Sequence, residues 1–117
     1  MKETRERSKQ RVKINKTERN ALEMEMQENH ERKLLIKALL SLENEQECEA
    51  FLEDLMTKKE IADMSQRLLV AKMLSEQIVY AKIAEETGAS TATIARVNRC
   101  YQYGAGGYKK VLKTIED

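Results

Sequence analysis

The sequence predicts an all-α protein, and three observations carry that prediction. Its 117 residues contain no proline and only four glycines, three of them clustered after Tyr103. Glu, Lys, Leu, Ala, Arg and Met dominate the rest, and all are good helix formers. Apolar residues recur at helical spacing, and near the C-terminus two short helical patterns meet at a single glycine. A chain of this length has room for one domain, with a thin core if its helices are long and few.

Residues 1–16 carry dense charge, with Val12 and Ile14 as the sizeable apolar residues after the initiator. They bury too little to offset the cost of ordering and are expected to form a flexible basic arm, which either adds phosphate contacts or is an idle tail. Residues 17–117 are expected to form one helical domain. Its first helix, residues 17 to about 42, passes Leu22, Met26, His30 and Leu34 and becomes apolar nearly all round at Leu35, Ile36, Ala38, Leu39, Leu40 and Leu42. Asn44 with Glu47 has capping-box spacing and opens a second helix with an inward stripe of Cys48, Phe51, Leu52 and Leu55, ending near residue 56. Thr57 with Glu60 repeats the spacing and opens a third helix, which runs to about residue 76 past Ile61, Met64, Leu68, Leu69, Val70, Ala71, Met73 and Leu74. Two helices with such wide apolar surfaces are hard to cover from within one copy, which points to an obligate homodimer.

Residues 80–102 have the pattern of a helix-turn-helix. Ile83 and Ala84 lie inward on a first short helix, and Ala84 must be small for the next helix to cross close above it. Gly88 supplies the left-handed conformation at the break. Ser90 caps a second helix whose Ile94 and Val97 face back inward. The outer face is small and polar: Ser90, Thr91, Ala92, Ala95, Arg96 and Arg99. Short residues at a helix N-terminus, followed by arginines one and two turns on, suit insertion into a major groove. Lys82 suits a phosphate contact. The alternative is a helical hairpin inside an ordinary bundle, with Gly88 a simple C-cap and the arginines solvated. The glycine-rich run after Tyr103 lacks the preceding strand of a phosphate-binding loop and reads as a connector to a last helix, residue 108 to about 115, with Val111, Leu112 and Ile115 inward.

Other chemistries find little footing. No long apolar run suggests a membrane span and the N-terminus is charged, so the expected compartment is the cytoplasm. Cys48 and Cys100 are expected as buried, inert thiols, and His30 stands alone without metal-ligand spacing, so no metal or other cofactor is expected. The carboxylates are spread among basic residues with no catalytic arrangement, and the chain is not expected to be an enzyme. The net charge of +1 conceals segregation, with +5 over residues 1–19, −7 over 20–63 and +3 over 64–117. One face of the molecule would therefore admit a duplex and another repel it.

The strings KEIADMSQRLLVAKML, IAEETGASTATIARVNRC and YGAGGY between Lys59 and Tyr108 resemble the Trp repressor family, and specifically its YerC/YecD branch. The resemblance implies an intertwined helical dimer of about six helices per subunit, with the recognition helix starting near Ser90. It implies that Thr91, Ala92 and Ala95 face bases, with Tyr80, Ala81 and Ala84 contributing from the preceding helix. In the tryptophan-responsive branch a threonine and an arginine of the recognition helix line an effector pocket, and Thr93 and Arg96 match them. That branch has a glycine next, where this chain has Val97, whose branched side chain would occupy the indole's space. The expected function is thus a dimeric DNA-binding transcriptional regulator, most simply a repressor, that does not respond to tryptophan; any other effector is unknown. The rival readings are a protein-interaction module that uses the helix-turn-helix as scaffold, and a small dimeric enzyme gathering Arg67, Arg96 and Arg99.

Overall fold

Six helices account for the secondary structure of residues 13–116, the part of the chain that the computed structural model describes. Most of the arm predicted over residues 1–16 lies outside the described residues. The chain divides into two units, Met1–Glu47 and Cys48–Asp117.

In the first unit, α1 (Lys16–Leu40) is opened by a capping box that the sequence reading passed over. Asn15 Oδ1 accepts the Glu18 N–H at 2.7 Å, and the Glu18 carboxylate accepts the Asn15 N–H at 3.3 Å. No residue of α1 is buried, and Leu34, Leu35, Ile36, Leu39 and Leu40 leave 40% to 80% of their surface exposed. The apolar end of this helix therefore has no cover within its own unit.

The next helix, α2 (Glu45–Leu55), starts as predicted on Asn44, whose Oδ1 accepts the Glu47 N–H at 2.9 Å. The Glu47 carboxylate, however, takes the N–H of Glu43 at 2.8 Å, one residue before the position the capping-box spacing predicts. Cys48, Phe51 and Leu52 are half-buried, whereas Leu55 is exposed and leaves the predicted stripe one residue short.

The second unit is built on α3 (Lys58–Ser75), against which α4 (Tyr80–Thr87), α5 (Thr91–Tyr103) and α6 (Gly107–Thr114) all pack. Thr57 and Glu60 close both halves of the capping box at its start, at 3.1 and 3.0 Å. Hydrogen bonds from the Thr57 backbone and side chain hold the Glu60 carboxyl below its ordinary value of 4.5. At the other end the chain turns sharply through Gln77, which takes φ 62°. The Gln77 N–H reaches Leu74 O at 3.0 Å and the Ile78 N–H reaches Met73 O at 3.1 Å, the paired bonds of a Schellman motif with glutamine in the usual glycine position.

The core consists of Val70, Ala71 and Met73 from α3, Ile83 from α4, Ala89 from the turn, Ile94 and Val97 from α5, and Leu112 from α6. Each large aliphatic side chain fully buried there contributes about 1.5–3 kcal/mol. Two expectations are corrected. Of the three residues predicted inward on α6, only Leu112 is buried, while Val111 and Ile115 are about half exposed. A two-turn helix offers one contact line, here Tyr108 and Leu112 at i and i+4; Val111 lies ~100° round the axis, and Ile115 is already the C-cap. Likewise neither cysteine is buried: Cys48 is half-buried and Cys100 exposed, both free. On α5 the inward line runs through Ile94, Val97 and Tyr101, and position 100 falls off it.

Candidate nucleic-acid interface

Everything in the helix-turn-helix depends on how the chain passes from α4 to α5. Gly88 stands at φ 72° in the left-handed region and returns its N–H to Ala84 O at 2.9 Å, which ends α4 within a single residue. Ala89 turns inward and is buried. Ser90 then caps α5, its Oγ accepting the Thr93 N–H at 3.1 Å and donating to Thr93 Oγ1 at 3.0 Å. The Thr87 hydroxyl braces the same turn from the other side, donating to Ile83 O at 2.7 Å and accepting the Ala89 N–H at 3.1 Å.

Ile83, Ile94 and Val97 are sunk in the core, leaving between them an outward face on α4 and α5. On it Ser90, Thr91 and Ala92 are exposed at the α5 N-terminus, and Arg96 and Arg99 are exposed one and two turns further on. Ala95, predicted outward, is half-buried. Tyr80 is 38% exposed at the start of α4. Lys82 is exposed too, and the one ion pair it makes among the described residues, to Glu86 on the next turn, is 4.0 Å long. Such an exposed pair is weak.

The two residues matched to an effector pocket lie one turn apart on α5. Thr93 is half-buried with its hydroxyl engaged by Ser90, whereas Arg96 is exposed. Val97, 3% exposed, is part of the core. A cleft of about 680 Å³ in this unit is lined by Lys72, Tyr101, Lys109, Leu112 and Lys113 among others. There the Lys109 ammonium sits 5.3 Å from the centre of the Tyr101 ring.

Two residues that the sequence reading missed support the turn. Thr87 directly before Gly88 is a local signal of an ST-type turn and was available. Gln66 was not: its Nε2 donates to Thr87 O at 3.0 Å from a position 21 residues away. Nothing in the spacing of α3 marks it out.

The comparisons with known proteins cover most of the chain. The profile of the family described as Trp repressor protein matches residues 30–116. The uncharacterized protein YerC of Bacillus subtilis is 48% identical over 83 residues, which make up 71% of this chain and 80% of that protein. Among solved structures, a candidate Trp repressor from Staphylococcus aureus superposes with TM-score 0.71 at 46% identity, over 74% of this chain and 86% of that one. A TrpR-like protein from Eubacterium eligens gives 0.69 at 51% identity, over 71% and 86%.

Proposed function

We propose, from the premise that this chain belongs to the Trp repressor family, that it is a transcriptional regulator that binds duplex DNA as a homodimer and represses by occupying an operator. The observation that carries this reading is the outward face of α5. Its first turn is capped by Ser90 and presents only Thr91 and Ala92, with Arg96 and Arg99 behind them. Small side chains let the helix backbone approach base edges, and the arginines reach base edges or flanking phosphates. Thr91, Ala92 and Ala95 take the bases, with Tyr80 at the edge of the same face; Lys82 takes a phosphate.

The apolar residues left uncovered support a second copy. Leu34, Leu35, Ile36, Leu39 and Leu40 on α1 are exposed, as are Met64, Leu68 and Leu69 on α3. Exposed apolar residues grouped along a helix in this way mark an interface. A two-fold dimer would carry two copies of α5 to half-sites about one helical turn apart, ~34 Å. Tryptophan is not the effector in this reading, because Val97 fills the position that is glycine in the tryptophan-responsive branch and is itself buried in the core.

Selection of bound sequences from a random duplex pool tests the proposal. The expected winner is palindromic, with half-sites centred roughly one turn apart. Failure to enrich any sequence would refute it and favour the protein-interaction reading.

A further inference from the structure

We propose that Gln66 is a positioning residue for the recognition helix, locking the helix-turn-helix to α3 so that the two move as one body without an added ligand. This rests on the DNA-binding reading above. Where α5 points is set by how α4 and α5 sit on α3. Their apolar contacts through Ile83, Ile94 and Val97 resist separation, but hydrophobic contact is non-directional and tolerates sliding. A hydrogen bond fixes direction.

The Gln66 Nε2 to Thr87 O bond is that fixture. Every other side-chain hydrogen bond among the described residues joins positions at most four apart, whereas this one spans 21. Its acceptor is a last-turn carbonyl of α4, which has no partner within its own helix. Both residues are half-buried, so competition from water is reduced. From Thr87 the connection continues through its hydroxyl to the Ala89 N–H, and the next residue, Ser90, caps α5. A short run of hydrogen bonds thus leads from the middle of α3 to the first turn of the recognition helix.

The test compares the full chain with Gln66→Met, which keeps the length and loses the donor, and Gln66→Lys, which keeps a donor at similar reach. Each is titrated on the selected duplex and on a duplex changed at one base pair, with thermal unfolding measured alongside. Gln66→Met should bind the selected duplex about 3- to 10-fold more weakly, the worth of one net hydrogen bond, with narrowed discrimination and an unchanged salt slope. Gln66→Lys should recover most of both. The proposal is overturned if Gln66→Met binds and discriminates like wild type, or if both variants weaken in step with their loss of thermal stability. Should the wild type itself select no duplex, the DNA-binding reading falls alone. Amide exchange at Ala89 and Thr93 then decides the lock: faster exchange in Gln66→Met supports it, and equal exchange overturns it.

Discussion

Two glycines differ in what they require of the chain, and the difference predicts different outcomes for the same substitution. Gly88 has open space where a Cβ would go, so only its positive φ resists a side chain. Gly88→Ala should therefore cost about 1 kcal/mol, seen as a lowered thermal midpoint with the helical fold intact. At Gly104 φ is −81°, and a side chain is resisted by contact: a Cβ there would run into the Cys100 carbonyl oxygen. Gly104→Ala should cost more than Gly88→Ala, because the end of α5 must shift. At the outward face, Arg99→Ala should weaken operator binding. If the guanidinium serves a phosphate, the slope of log affinity against log salt should become shallower by ~1 with sequence preference kept. Unchanged affinity and slope would remove Arg99 from the interface.

Among the elements, α3 is the one whose ends are most closely specified. Its N-terminal capping box makes Thr57→Ala cost about 1 kcal/mol, measurable by denaturant unfolding. Glu60 gives that end a pH dependence whose sign follows from its lowered carboxyl value. The stabilisation is fully present above the ordinary value of 4.5 and is lost as pH falls through the lowered value in the folded protein. The stability difference between wild type and Glu60→Gln should accordingly stay constant above about pH 5 and change only in the acid range. At the opposite end, Gln77→Gly should stabilise by up to ~1 kcal/mol, since glycine takes φ 62° without the side-chain penalty.

These ends also show what was legible before the structure. Thr57 with Glu60, and Ala84, Gly88, Ser90, Ile94 and Val97, announce themselves because caps and turns are written in residues within a few positions of one another. Gln77 carries no such mark, because glutamine has no preference for the left-handed region and the Schellman bonds are made by backbone alone. Gln66 was invisible because its partner is a backbone carbonyl 21 residues away. The burial of Val111, Ile115, Leu55 and the two cysteines was overestimated for one reason. Apolar character says that a residue favours burial, whereas the narrow contact line of a short helix decides which residue obtains it.

At the scale of the whole molecule, charge and exposed apolar residues are segregated along the chain. Acidic residues concentrate in 20–63, which carries −7, and the part holding the helix-turn-helix carries +3. The apolar surface lies on α1 and α3, away from the outward face of α5 in sequence. Replacing Leu35 and Leu39 together by glutamate should dissociate the proposed dimer in sedimentation equilibrium and abolish operator binding, while Arg99→Ala should leave it whole. A wild-type chain that sediments as a monomer throughout would contradict the dimer.

The most direct measurement of the central claim is a titration of the selected duplex with the wild-type protein at several salt concentrations, with and without tryptophan. The account predicts sequence-selective binding that weakens steeply as salt rises and is the same in both arms, because Val97 is packed into the core. Binding that requires tryptophan would contradict the role given to Val97. Affinity that is indifferent to both salt and sequence would contradict the assignment of α5 as a recognition helix.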